Sequence, residues 1–247
     1  MRHKPNPCCL KNSMKTCAVL LALIICLSTP NCSVSDFKSS PNQEPQPLKT
    51  MTAIRYVALG DSTGAGVGAR DGGYVARLFR ELQKQRPGSS LTNLCVSGAT
   101  TADLIRDQLN RGIKSDPQLV TVGIGINDIG HNFPLEQFAG NFELILKSLK
   151  RETRAVVVVS NIPDVSSSPR VPQIMRQESQ RTIELYNNRL AQIASANGAI
   201  VFDVYSVTHE ELPKHPEYFS YDGFHPSDAG YEIWAKQMWP VVEHSLR

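Results

Sequence analysis

Ile54-Arg-Tyr-Val-Ala-Leu59, followed at once by Gly60-Asp61-Ser62-Thr63-Gly64, is an apolar run of strand length that breaks into a polar, glycine-rich turn. The same figure recurs along the chain. Leu91–Val96 leads into Ser97-Gly98-Ala-Thr100, Leu119–Ile124 into Gly125-Ile-Asn127-Asp128, and Ala155–Ser160 into Asn161-Ile-Pro-Asp164. A fifth run, Ala199–Val204, precedes a long loop that holds Asp222-Gly-Phe-His225-Pro226. Ala155-Val-Val-Val-Val-Ser160 is apolar almost throughout, as a parallel strand covered on both faces requires.

Between these runs lie stretches whose apolar residues recur at helical spacing. They predict helices over Tyr74–Gln85, Thr101–Arg111, Leu135–Arg151, Val171–Ala196 and Ser227–His244. Thr101 and Pro226-Ser227-Asp228 are start signals, and Gly198 is a stop signal. Five strands alternating with five helices predict one α/β domain over residues 51–247, with a five-stranded parallel sheet and right-handed crossovers. Ligands of such sheets sit beyond the C-terminal strand ends, and four of the five runs deliver polar clusters there.

The chain outside that domain reads differently. Arg2, His3, Lys4, Lys11 and Lys15 precede the unbroken apolar run Cys17–Leu27, and no acidic residue occurs before Asp36. Eleven helical residues rise only about 16 Å, half of a bilayer core, so the run is short for a span. A basic flank and a short apolar segment predict an export signal over residues 1–32, with Met14 as an alternative start. Cys32 follows in Ser-Thr-Pro-Asn-Cys32 and resembles a bacterial lipoprotein attachment site, although Pro30 and Asn31 replace the usual small residues. Residues 33–50, with Pro41, Pro45 and Pro47, read as a polar linker. The expected location is therefore the cell envelope, tethered through Cys32, or the periplasm or exterior.

Net charge is +3, with 26 Lys/Arg against 23 Asp/Glu; four of those bases and no acid precede Cys32. What remains is near neutral, so the basic excess belongs to the segment before Cys32 and gives no reason to expect nucleic acid as a partner. Of the six cysteines only Cys95 lies in the domain, so neither a disulfide framework nor a cysteine metal site is expected. A monomer is expected.

Ser62, Asp222 and His225 have the chemistry of a hydrolytic triad. A serine hydroxyl is a weak nucleophile and needs a base to take its proton. His225 can serve if a carboxylate holds its other ring nitrogen, and Asp222 is three residues away. The oxyanion of an acyl transfer needs preorganised donors, for which the Gly98 and Ser62 backbone N–H groups and the Asn127 amide are candidates. Asp61 is read as a support for its turn and Asp128 as a loop or cap residue. His131 is a candidate for lining the site, and Tyr221 and Phe224 for its walls. His209 and His215 are expected to be solvated.

The four blocks, Gly60-Asp61-Ser62, Gly98 in Val-Ser-Gly-Ala-Thr, Gly125-Ile-Asn127-Asp128 and Asp222-Gly-Phe-His225-Pro226, resemble in order and separation those of the SGNH (GDSL-type) hydrolases, across Ile54 to His244. The resemblance implies a three-layer α/β/α flavodoxin-like fold and ester or thioester hydrolysis through an acyl-enzyme, without a cofactor or metal. It assigns Ser62 as nucleophile, Asp222 and His225 as its partners, and Gly98 and Asn127 as oxyanion donors. Thr63 departs from the pattern, standing where the family has a larger apolar residue. The expected substrate is an acyl ester of the lysophospholipid kind, with an acetylated carbohydrate as alternative; residues 128–135 and 164–173 are the expected walls. Two rival enzyme readings fit fewer residues. Gly64-Ala-Gly66-Val-Gly68-Ala69 matches a dinucleotide fingerprint but lacks the acidic residue after strand two. A metallohydrolase built from Asp128, His131, Asp222 and His225 is the other. A non-catalytic glycan-binding module on the same fold is the reading from another class.

Overall fold

The structure is a computed structural model that describes residues 51–247. The export signal, the linker and Cys32 lie outside the described residues. The strands are β1 (Arg55–Gly60), β2 (Ser90–Asn93), β3 (Leu119–Gly123), β4 (Val156–Ser160) and β5 (Ile200–Phe202). All pair in parallel, in the order β2-β1-β3-β4-β5. The order reverses direction between β1 and β3, and ligands of doubly wound sheets lie outside the strand ends at that point.

Alternation along β1 shows why the sheet carries helices on both sides. Val57 and Leu59 enter one core with Val120, Val122 and Val159, whereas Tyr56 and Ala58 enter another with Leu119, Val158 and Phe202. Helices α1 (Ser62–Ala65) and α2 (Tyr74–Gln85) follow β1; α3 (Thr101–Asp103) and α4 (Asn110–Lys114) follow β2. Next come α5 (Ile126–Gly130) and α6 (Leu135–Glu152), then α7 (Arg176–Asn197), α8 (Val204–Glu211) and α9 (Asp228–Ser245). Helix α6 packs Phe138, Phe142, Ile145 and Leu149 into the first core; α2 and α9 close the second with Tyr74, Trp234 and Met238. This is the expected three-layer α/β/α arrangement.

Four boundaries differ from the sequence reading by more than one residue. Edge strand β2 stops at Asn93 instead of Val96, because the Asn93 carboxamide accepts from the Cys95 N–H (3.1 Å) and turns the chain locally. The helix opened by Thr101 does not stop at Arg111. It widens into π turns over Leu104–Leu109 and runs on to Lys114. Helix α7 begins at Arg176 instead of Val171, because Pro172 initiates a separate 3₁₀ turn. Val204 opens the unexpected helix α8: Asp203 caps it by accepting from Ser206 N at 3.1 Å, so β5 ends early.

Candidate active site

Gly60 ends β1 where the sheet is tightest, since a Cβ there would lie 2.3 Å from the Gly123 carbonyl oxygen on β3. Buried Gln108, on the π segment, holds the same residue. Its amide accepts from Gly60 N and donates to Gly60 O, both at 2.8 Å. Asp61 then caps the short helix α1, its carboxylate accepting from Thr63 N (2.9 Å) and Thr63 Oγ1 (2.8 Å). The expected turn support is thus what Asp61 provides. Burial pushes its carboxyl up to about 6, against the pull of those hydrogen bonds. Ser62 opens the helix and is itself buried.

The catalytic-loop candidates reach Ser62 from the far end of the chain. His225 Nε2 lies 3.0 Å from Ser62 Oγ, and His225 Nδ1 lies 2.6 Å from Asp222 Oδ2. The second Asp222 oxygen accepts from Ser220 Oγ (2.9 Å), Phe224 N (2.8 Å) and His225 N (2.9 Å). Burial raises the Asp222 carboxyl, but the His225 ring and these other donors outweigh it and hold the group well below the usual carboxylate range. An ionised Asp222 therefore faces the imidazole N–H, which leaves Nε2 as the acceptor toward Ser62.

This loop is held by neighbours that the sequence reading did not single out. Ser168 donates to Gly223 O at 2.6 Å, and Arg170 Nε donates to Asp222 O at 2.7 Å. Gly223 has φ +68°, and a Cβ on it would sit 3.3 Å from Pro169. Gly68 approaches from the other side, where a Cβ would come within 2.6 Å of Pro226 O. The glycines of the dinucleotide-like run thus serve close packing: Gly64 faces Cys95 Sγ, Gly66 the Gly73 backbone, and Gly68 the His225–Pro226 loop.

Asn127 lies on α5, just beyond β3, and donates through Nδ2 to Ala99 O at 2.9 Å. One amide proton is so engaged and the other is available. The bond draws Asn127 against the loop of Gly98, an exposed residue with φ +78° and no atom within 4 Å of where a Cβ would stand. Asp128 turns away. It is fully buried and accepts from Thr101 N (3.0 Å) and Thr101 Oγ1, pinning α5 to the start of α3. Its commitment to Thr101 removes it from the metal set. His131 does not line the Ser62 cleft; it is exposed and bonds the Asn127 carbonyl through Nδ1 (2.7 Å).

The strand-four cluster has structural work. Asn161 donates to Asp203 and accepts from Tyr205 N, tying β4 to the start of α8. Asp164 accepts from Ser166 N and pairs with His209 Nδ1 at 2.8 Å, so His209 is exposed, as expected, but also anchored. His215 similarly bonds Glu217 at 2.9 Å. Tyr221 does not act as a wall, being 99% exposed. Phe224 does: it stands edge-on to His225 with ring centres 5.3 Å apart.

Two depressions meet at Phe224. A shallow groove is bordered by Ile129, Phe133, Val171 and Met175, which come largely from the two expected wall stretches. A narrow cleft opens at Ser62 and His225 and runs between the loop after β4, α8 and α9.

The family described as GDSL-like lipase/acylhydrolase matches residues 58–233. The chain is 29% identical over 181 residues to an acetylxylan esterase of Geobacillus stearothermophilus, covering 68% of this chain and 80% of that protein. It is 26% identical to the spore germination lipase LipC of Bacillus licheniformis, covering 75% and 94%. Among solved structures, a catalytic mutant of a Geobacillus stearothermophilus acetylxylan esterase superposes with TM-score 0.65 at 21% identity, covering 77% of this chain and 95% of that one. A lipase/acylhydrolase of Enterococcus faecalis gives 0.63 at 22%, covering 78% and 97%. The chain belongs to the GDSL-like lipase/acylhydrolase family and is a hydrolase acting on ester bonds.

Proposed function

We propose that the chain is a serine esterase that cleaves carboxylic esters through an acyl-enzyme on Ser62. The observation that carries this is the continuous relay Asp222–His225–Ser62, with both links at hydrogen-bond length. His225 Nε2 takes the Ser62 proton as Oγ bonds the acyl carbon, and returns it to the departing alkoxide oxygen. Water repeats the sequence: His225 takes its proton, its oxygen bonds the acyl carbon, and the proton returns to Ser62 as the acid leaves. The Gly98 and Ser62 N–H groups and the free Asn127 amide proton stabilise the oxyanion in both halves.

The lysophospholipid or simple acyl ester reading is supported by the apolar cleft that opens at Ser62. The carbohydrate O-acetylester reading draws its support from the acetylxylan esterase relative. The intact relay argues against a non-catalytic glycan-binding module. Export, with a tether through Cys32, rests on the basic and apolar pattern of residues 1–32. A fluorophosphonate probe should label the wild type and not Ser62→Ala, and that variant should lose roughly 10⁴-fold or more in ester hydrolysis. Unchanged hydrolysis by Ser62→Ala would remove the proposal.

A further inference from the structure

The cleft behind Ser62 differs in chemistry from the groove beside it. Its walls include Val165, Val204, Val207, Leu212, Phe224 and Ile233. Two of its polar residues are turned to partners outside it. The Thr208 hydroxyl donates to Val204 O (2.8 Å) and accepts from Asp164 N (2.7 Å). The Glu211 carboxylate lies 4.0 Å from Lys214 and 3.8 Å from His215. What faces the cleft is carbon, and a sugar placed there would bury hydroxyls without partners, which is costly.

We infer that this cleft receives the hydrocarbon chain of the acyl group, making the protein selective for acyl esters longer than acetyl. The inference rests on the acyl-enzyme reading above. The acyl group stays bonded to Ser62 Oγ while the alcohol leaves past His225 Nε2 and water takes its place. A cleft walled by buried residues such as Val204 and Trp234 suits the group that stays. The alcohol needs an open route, which the shallow groove at Phe224 offers. Specificity then resides chiefly in α8 and α9, with Val165 the contribution of the stretches 128–135 and 164–173.

The test is kcat/KM for p-nitrophenyl esters from acetate to dodecanoate, beside acetate esters of alcohols of graded length. Values should rise about fourfold per added acyl methylene until the cleft is full. Val207 and Ile233 are only partly buried, so each can be enlarged with little strain on the core. Val207→Phe and, independently, Ile233→Phe should lower the hexanoate-to-acetate ratio by about tenfold or more. Fluorophosphonate labelling identifies the folded, active fraction of each variant. An acyl profile that is flat or highest at acetate, and unmoved by both variants, overturns the inference while leaving the esterase intact. A rise with alcohol length alone overturns it too, placing the alcohol in the cleft. If no ester of any length is cleaved and Ser62 is not labelled, the underlying esterase reading has failed instead.

Discussion

Replacing Asp222 by Asn removes a charge and also commits the side chain to one orientation. The Asp222 oxygen Oδ1 receives three donors, from Ser220, Phe224 and His225. An NH₂ group in that place would face all three, so the Asn carbonyl must occupy it. The amide nitrogen is then forced to the Oδ2 position, 2.6 Å from His225 Nδ1. A donor there can be accommodated only if Nδ1 is the acceptor, which moves the imidazole proton to Nε2. His225 would then donate toward Ser62 and could not take its proton. Loss of the right tautomer costs about 10⁴-fold in kcat, or about 5 kcal/mol of transition-state stabilisation. The assay is burst and steady-state hydrolysis of a p-nitrophenyl ester, with thermal unfolding in parallel. Because three hydrogen bonds survive, the melting temperature at neutral pH should fall by only a few degrees. A kcat loss of less than about 30-fold, in a folded variant, would refute the tautomer reasoning.

Three further outcomes follow from the same geometry. Asn127→Ala should lower kcat by roughly 10²–10³ with little change in KM, since its amide acts on the developing oxyanion; a change confined to KM would assign it to ground-state binding. Arg170→Ala frees the Asp222 carbonyl, and the resulting drift of the triad should lower kcat by up to about 10²-fold; Arg170→Lys should recover only part, and a kcat equal to wild type would remove the brace from the mechanism. Asp61 titrates near 6 in the fold, above its unfolded value, so the native state binds the extra proton between pH 4 and 6. Its contribution to stability is therefore greatest below pH 4 and declines as pH rises to about 6. In Asp61→Asn, urea unfolding across that range should lose this decline, and a wild-type slope retained by the variant would contradict it.

The parts of the site that are legible in the sequence are those built from near neighbours. Asp61 caps the adjoining helix through the N–H two residues ahead, and Asp222 meets His225 across three residues. Strand-length runs that are apolar almost throughout announce a parallel sheet covered on both faces before any contact is known. The errors in element length lie where one side chain redirects the backbone, as Asn93 does at β2 and Asp203 at α8. Neither residue carries a signal that separates a cap from an ordinary polar position.

Family, chemistry and the identities of the reacting groups thus came from four short blocks, each local enough to be read in line. Only the tertiary structure decided what holds those blocks in register. Gln108 reaches Gly60 across 48 residues, Arg170 reaches Asp222 across 52, and Ser168 reaches Gly223 across 55. The position of the apolar cleft likewise depends on α8 and α9 meeting the loop after β4. The physical reason is range. Hydrogen-bond capping and side-chain periodicity act over one turn or one pleat, whereas bracing and pocket shape arise when distant segments are packed to a common density, and no single stretch of sequence encodes its partner.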